Sequence, residues 1–224
     1  AIVRNLLNYT QEIASIKYVC VMNNDILVTR DWLKRMLFCM DNISHLALMG
    51  VKDNNDYHLY QYFPIPPEFQ PRFNRWEETM DDLKLQEYVE KEFYSKRKFD
   101  ACEGVQTIDG NVMLIRNAFV KDIGGFNKDF DDYAGDSEFF IRIVNKKYGI
   151  AYCLSSFVYH VSGGGGGKYE SWQKNKGKPL ADSVGERREQ IKNAYGINID
   201  IHGRSYTVPK EDIRKREEEL VRIS

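Results

Sequence analysis

Asp25, Asp136 and His160 are the residues whose types and surroundings point most directly to chemistry. Asp25 follows a short apolar run, residues 18–22, that ends in three polar side chains at 23–25. Such a strand end projects a carboxylate into the crevice where open α/β sheets bind ligands, and a carboxylate there commonly holds a divalent metal. Asp136 lies where a helix is predicted to begin, and His160 ends a second apolar run. Residues of these three types could supply the metal ligands and the base of a metal-assisted transfer reaction.

Each of these residues also has a structural interpretation, and the sequence leaves both open. Asp25 fits an ordinary turn after a strand. Asp136 fits a helix cap, a role that is compatible with catalysis. His160 fits a hydrogen-bonded structural histidine. The chemical interpretation requires that the three side chains converge on one pocket.

The composition bounds the class of protein. A chain of 224 residues with 42% hydrophobic and 13% aromatic content can bury one substantial core. The formal net charge of -1 gives no broad basic field for nucleic acid or an anionic membrane, so an anionic ligand must be caught locally. No segment approaches the roughly 20 apolar residues of a transmembrane helix, and the start lacks the form of a signal peptide. We therefore expect a cytoplasmic protein without a nucleic-acid partner or transmembrane segment.

The four cysteines, Cys20, Cys39, Cys102 and Cys153, occur singly and without CxxC spacing. This spacing argues against disulfides and against a zinc cluster. We expect four buried thiols.

Apolar periodicity predicts an alternation of helices and strands, which is typical of an α/β fold. Predicted strands cover 18–22, 46–51, 111–115, 150–154 and 157–161. Predicted helices cover 1–16, a segment around Trp32 to Met40 capped by Thr29, then 77–98, 117–122, 136–147, 183–195 and 209–222. Residues 53–56 are predicted to form a turn, and Glu138 is placed four residues before Arg142 for an exposed ion pair.

For each of two further segments, the sequence leaves two structural or functional interpretations open. Gly163 to Gly167 are five consecutive glycines, which predict a mobile loop that is either a lid or a flexible linker. Residues 57–76 are rich in Tyr, Phe and Pro and predict a long loop or irregular hairpin. Their aromatic rings either pack into the protein or line an acceptor groove.

Read in order, the motifs resemble those of family-2 glycosyltransferases of the GT-A fold, over about residues 1–162. The residues that carry the resemblance are Arg4-Asn5, Asn23-Asn24-Asp25 with Trp32-Leu33, Gly110 to Arg116, Gly124-Gly125-Phe126, Gly135-Asp136-Ser137-Glu138 with Arg142, and Tyr159-His160.

The resemblance implies a role for each matching position. Asp25 and His160, with Asn23 in the first acidic slot, would hold Mn²⁺ or Mg²⁺, and Asp136 would be the catalytic base. Substrate-binding positions would be Asn24, Asp109, Gly110 and Glu138. Asn23 and Gly135 depart from the acidic residues common in the family, which a metal held partly by substrate phosphates tolerates.

The resemblance also implies an architecture. It predicts a partial GT-A-like mixed sheet flanked by helices in residues 1–162, a glycine-rich loop at 163–167, and a polar helical C-terminal extension at 168–224. The nucleotide-binding part that opens the family fold has no counterpart here, so we expect either a truncated chain or another segment that supplies it.

The function implied is transfer of a sugar from a nucleotide-sugar donor to an acceptor hydroxyl, by metal-dependent displacement with inversion. The acceptor would be a carbohydrate, a lipid-linked molecule or a protein. One alternative is a non-catalytic glycosyltransferase-like scaffold that binds carbohydrate or protein, which the substitutions at Asn23 and Gly135 favour. A nucleotidyltransferase on a related fold ranks last, because no glycine-rich phosphate loop lies near the start.

Overall fold

The computed structural model describes residues 15–54, 62–66, 82–130, 135–161 and 180–196, with Leu7, Thr10, Ile13 and Phe69. The predicted helix at 209–222 and the glycine-rich loop at 163–167 lie outside the described residues. Most of the predicted helix at 1–16 and of the aromatic segment at 57–76 does so too.

The described residues contain a mixed sheet of six strands. Its strands are β1 (Tyr18–Met22), β2 (Ile26–Val28), β3 (Leu46–Lys52), β4 (Cys102–Val105), β5 (Val112–Arg116) and β6 (Gly149–His160). The order is β1-β5-β3-β6-β2, with β4 also paired to β6. Strands β3 and β6 run parallel, and the other pairs are antiparallel.

Strand β6 is the longest and organises the sheet. Its first half pairs with β3 on one side and with β4 on the other, whereas its last residues pair with β2. The register between β3 and β6 shifts between Val51 and Lys52 of β3, between the part of β6 that pairs with β4 and the part that pairs with β2. This pairing sets Ile26, the residue after Asp25, directly opposite His160. The partner strands therefore bring together two residues that lie far apart along the chain.

Helices flank the sheet. They are α1 (Trp32–Asn42), α2 (Asp82–Glu92), α3 (Asn117–Ile123), α4 (Gly135–Asn145) and α5 (Leu180–Tyr195), with short 3-10 turns at Tyr94–Lys96 and Lys128–Phe130. Because successive strand residues point to opposite faces, Leu48 packs with α3 and α4 whereas Met49 packs with α1. The apolar runs of β3 and β5 are thus covered on both faces.

A third apolar cluster fixes the end of β6. Phe157 and Tyr159 pack against Leu85, Val89 and Phe93, which come from α2 and the turn after it. Phe157 and Phe93 have ring centroids 5.4 Å apart. This packing holds the backbone on which His160 lies.

The expectation of a mixed α/β fold with flanking helices is confirmed, and β1 has the predicted bounds. Strands β2 and β4 were not predicted, and the two runs at 150–154 and 157–161 form one strand. Thr29 does not cap α1. Its buried hydroxyl contacts the Tyr94 hydroxyl and the Phe157 carbonyl instead, and α1 begins after Asp31, which has a φ of 60°.

Two expectations about side chains are corrected. Cys39, Cys102 and Cys153 are buried free thiols as predicted, but Cys20 is exposed because it lies on β1, which pairs only with β5 among the described strands. Glu138 and Arg142 do form an ion pair, yet the Glu138 side chain is fully buried. No helix within the described ranges is long and apolar enough to cross a membrane.

Candidate functional site

Asp25 and His160 meet at the end of the sheet. Asp25 Oδ1 lies 3.2 Å from His160 Nε2, and the backbone N–H of Val161 donates to the Asp25 carbonyl over 2.9 Å. The imidazole is nearly enclosed, with 5% of the side chain exposed, whereas the Asp25 carboxylate keeps 24%. Neither ring nitrogen of His160 has a hydrogen-bond partner within the described part of the chain. This corner therefore pairs a solvent-accessible carboxylate with an enclosed imidazole whose nitrogens can still take a ligand.

Asn54 fixes the backbone of His160. The His160 N–H donates to Asn54 Oδ1 over 2.6 Å, and Asn54 Nδ2 donates to the His160 carbonyl over 3.1 Å. An amide that bonds both backbone groups of one residue restrains its position strongly. Asn54 is the polar continuation of β3, so it positions the imidazole from the neighbouring strand.

Asn23 and Asn24 follow β1, next to Asp25. The Asn23 N–H donates to the Asn111 carbonyl over 2.8 Å, which extends the β1–β5 pairing past the end of the strand. Asn23 is half-buried and Asn24 is exposed. Both residues lie at the same end of the sheet as the Asp25–His160 corner.

Asp53 is a buried carboxylate that the sequence analysis assigned only to a turn. It is fully buried and accepts a hydrogen bond from the side-chain amide of Asn111. The N–H of Phe63 also donates to the Asp53 carbonyl over 2.7 Å. Asp53 therefore connects the end of β3 to the start of β5, and through Asn111 to Asn23.

The polar stretch 53–56 after an apolar strand carried the same signal that identified residues 23–25. Applying the strand-end argument to β3 would have found Asp53 and Asn54, and Asn111 at the start of β5 with them. We read 53–56 only as a turn, because turn chemistry explains such a sequence equally well.

Asp136 lies in the first turn of α4, against Gly110. Asp136 Oδ1 accepts a hydrogen bond from the Ser137 N–H over 2.7 Å. A methyl group at Gly110 would come within 2.6 Å of Asp136 Oδ2, so glycine is required for this approach. The positive end of the helix macrodipole favours the ionised carboxylate here. Asp136 thus accepts a hydrogen bond from an N–H of the first turn and lies against the loop that leads into Asn111.

Asp109 borders the same region through Tyr152. The Asp109 N–H donates to the Tyr152 hydroxyl over 3.1 Å. Burial raises the pKa of Tyr152, and the neighbouring carboxylates of Asp109 and Asp53 raise it further. The phenol therefore stays neutral and lies close to two carboxylates.

Glu138 belongs to the interior. Arg142 Nε and Nη2 each donate to its carboxylate over 2.8 Å, and the Tyr195 hydroxyl donates over 2.6 Å. The same guanidinium donates to the carbonyls of Ile123 and Gly125. These bonds tie α4 to the turn after α3 and to α5, so the observed contacts of Glu138 are structural.

The structure thus brings Asp25 and His160 into contact, and links Asn23 through Asn111 to the loop that carries Asp109 and Gly110, against which Asp136 lies. Within the described ranges, no three His, Cys, Asp or Glu side chains are arranged to hold a metal ion. Two ligands about 2.1 Å from one octahedral ion lie about 3 Å apart, so Asp25 Oδ1 and His160 Nε2 have a spacing that suits a shared ion. Of the two metals expected, an imidazole nitrogen favours Mn²⁺ over the harder Mg²⁺.

Comparison with known proteins adds no family to this geometry. No protein-family model matches the chain, and no curated protein matches it.

Proposed function

We propose that this protein is a metal-dependent glycosyltransferase that moves a sugar from a nucleotide-sugar donor to an acceptor hydroxyl with inversion. The observation that carries the proposal is the approach of Asp25 Oδ1 to His160 Nε2 at 3.2 Å, at the end of the sheet where ligands of α/β proteins bind. The resemblance of the motifs to family-2 glycosyltransferases supports the choice of reaction.

Asp25 and His160 would hold Mn²⁺, with substrate phosphates completing its coordination. When bound, such an ion stabilises the negative charge that develops on a leaving diphosphate. The protein's contribution is to keep the two ligands at a fixed separation. Asn54 provides this rigidity for His160 through its two backbone hydrogen bonds.

Asp136 would accept the proton of the acceptor hydroxyl. A general base must be unprotonated and within hydrogen-bond reach of that hydroxyl, and an ionised carboxylate meets the first condition. The first turn of α4 favours the ionised form, and the bond from Ser137 orients the carboxyl group. Gly110 leaves the space that the Asp136 carboxylate occupies.

One base and one metal-assisted leaving group suit a single displacement. The base removes the proton on one side of the sugar carbon while the diphosphate departs on the other, which inverts the configuration there. Asn24, Asp109 and Gly110 are proposed to contact the substrates, and Asn23 is proposed as a further ligand of the metal. Glu138 is not proposed to contact a substrate, because its carboxylate already bonds Arg142 and Tyr195.

The test is calorimetric titration of the chain with Mn²⁺, alone and with a panel of nucleoside diphosphates. We expect Mn²⁺ binding that strengthens when a diphosphate is present. Asp25→Asn and His160→Ala should each weaken it, whereas His45→Ala, at a half-buried histidine elsewhere on the chain, should not. Equal Mn²⁺ binding in Asp25→Asn and the parent protein would contradict the proposal.

A second experiment addresses the base. Asp136→Asn should keep Mn²⁺ affinity and reduce sugar transfer by about 100-fold or more. Gly110→Ala should reduce transfer in the same direction, because the added methyl group displaces the Asp136 carboxylate. Near-normal transfer by Asp136→Asn would remove that residue from the mechanism. A protein that binds carbohydrate without any metal-dependent nucleotide binding would instead be the non-catalytic scaffold.

A further inference from the structure

Three of the four cysteines lie together although they are far apart in sequence. Cys39 comes from α1, Cys102 opens β4, and Cys153 lies in β6. All three belong to one apolar cluster and are almost fully buried, with at most 5% exposed. The proposed transferase mechanism uses none of them.

The strand pairing places two of these cysteines directly opposite each other. Cys102 and Cys153 are direct register partners in the antiparallel pair of β4 and β6. Directly opposite residues have Cα atoms about 4.5 to 5.5 Å apart and side chains on one face of the sheet. Disulfides form across Cα separations of about 4.4 to 6.8 Å. The strand pairing therefore meets the distance requirement of a disulfide, although both residues are free thiols in the structure.

Cys39 lies over this pair. Its thiol reaches the Asp100 carbonyl over 3.6 Å, and its side chain belongs to the same buried cluster as Cys102 and Cys153. The neighbouring Cys39 thiol lowers the pKa of Cys102 and of Cys153. Since the thiolate is the reactive form of cysteine, this contact favours reaction at the strand pair.

We propose that Cys102 and Cys153 form an oxidation site that closes into a cross-strand disulfide with hydrogen peroxide, while Cys39 remains a thiol. A small oxidant suits the site because Cys102, its more open thiol, is only 5% exposed. This inference is independent of the proposed transferase function.

The reaction balances in two steps. The Cys102 thiolate attacks one oxygen of the peroxide, which forms a sulfenic acid and expels hydroxide, and the hydroxide takes up the thiol proton as water. The Cys153 sulfur then attacks the Cys102 sulfur and forms the S–S bond. The second hydroxide leaves with the Cys153 proton as another water. Two thiols are oxidised by two electrons, and one peroxide is reduced to two waters.

The test uses the full chain carrying Cys20→Ser, since the exposed Cys20 would otherwise link two molecules. This variant retains three of the four cysteines. After treatment with one equivalent of peroxide in native buffer, the protein is alkylated in denaturant and mapped by peptide mass spectrometry. We expect the free thiols to fall from three to one, a mass loss of about 2 Da, and a crosslinked peptide joining Cys102 to Cys153. Dithiothreitol should restore all three thiols.

Matched variants separate this pairing from the others. With Cys39→Ala added, the same crosslink should still form, several-fold more slowly. With Cys102→Ala added, no disulfide should form between the remaining two thiols. Three unreacted thiols, irreversible oxidation without a crosslink, or a crosslink that contains Cys39 in the parent would each overturn the proposal. The peptide map of the Cys20→Ser protein decides this whether or not the further variants fold.

Discussion

The Asp25–His160 corner and the Glu138–Arg142 pair both join a carboxylate to a basic side chain, yet they differ in how completely the protein satisfies them. Glu138 accepts bonds from Arg142 and Tyr195 and is fully buried. At the other corner, both His160 ring nitrogens lack a hydrogen-bond partner within the described residues. Buried polar groups are normally hydrogen-bonded, so the second arrangement is the one whose imidazole nitrogens are available to an external ligand.

This comparison teaches how to separate a structural carboxylate from a functional one. Both Glu138 and Asp25 stand in motifs that resemble those of a glycosyltransferase. The sequence alone does not distinguish the two residues, because the difference lies in the hydrogen-bond partners around each side chain. Substitutions can change the two regions one at a time.

The largest expected effect is on stability at the structural pair. Glu138→Gln removes the negative partner of Arg142 inside the protein, which typically costs about 3–5 kcal/mol. Urea denaturation followed by circular dichroism measures the loss. Glu92→Gln is the matched control, because Glu92 pairs with Lys96 at the same four-residue spacing on the surface. If Glu138→Gln has the same urea midpoint as Glu92→Gln, the buried pair does not stabilise the protein more than the surface pair does.

The next effect is on ligand binding at the open corner. Asp25→Asn should weaken Mn²⁺ binding by about 100-fold, because a neutral amide replaces a charged ligand beside His160. Its effect on stability should be smaller than that of Glu138→Gln. Calorimetry and urea denaturation of Asp25→Asn and Glu138→Gln test whether the first mainly loses Mn²⁺ binding and the second mainly loses stability. A large loss of stability with unchanged Mn²⁺ affinity would make Asp25 a structural residue as well.

Asn54→Ala should affect both properties moderately. It removes two hydrogen bonds to the His160 backbone, worth about 1 kcal/mol each. Because the imidazole then loses its restraint, Mn²⁺ affinity should fall about tenfold. Asn42→Ala serves as a control, since Asn42 bonds the Phe38 carbonyl at the exposed end of α1. If Mn²⁺ binds the Asn54→Ala protein normally, Asn54 does not position His160.

The smallest effect concerns Tyr195, whose hydroxyl donates to Glu138. Burial, together with that hydrogen bond, raises the pKa of Tyr195 to about 12. In the unfolded chain the phenol ionises near pH 10, so its contribution is present below pH 10 and is lost as the pH rises toward 12.

Tyr195→Phe should therefore unfold with about 1 kcal/mol less free energy at pH 8. The difference from the parent protein should shrink between pH 10 and pH 12. Urea denaturation of both proteins across this range is the measurement. A difference that stays constant up to pH 12 would show that the phenol does not titrate differently in the folded state.

Sequence periodicity predicted β1 and β3, which are continuous apolar runs, and in β3 that run reflects burial on both faces of the sheet. It missed β2, which has only three residues, and β4, which reads Cys-Glu-Gly-Val. Both pair with β6. Their structure is decided by that distant partner rather than by local preference.

The candidate site was predictable to a similar degree. Strand ends identified Asp25 and His160, and their contact follows from the pairing of β2 with β6. The strand-end pattern after β3 also indicates Asp53, but its burial and its contacts with Asn111 and Phe63 depend on tertiary pairing that no local pattern supplies. The three-thiol cluster likewise depends on the register of β4 against β6.

The most direct test of the account is whether Mn²⁺ binds beside His160. Mn²⁺ is paramagnetic, so it broadens the NMR signals of nearby imidazole rings. In a chain with four histidines, we predict that low Mn²⁺ concentrations broaden the His160 signals first and leave those of His45 sharp. Asp25→Asn should abolish this selectivity. If the His160 signals stay sharp while Mn²⁺ broadens other residues, the metal site is not at the Asp25–His160 corner.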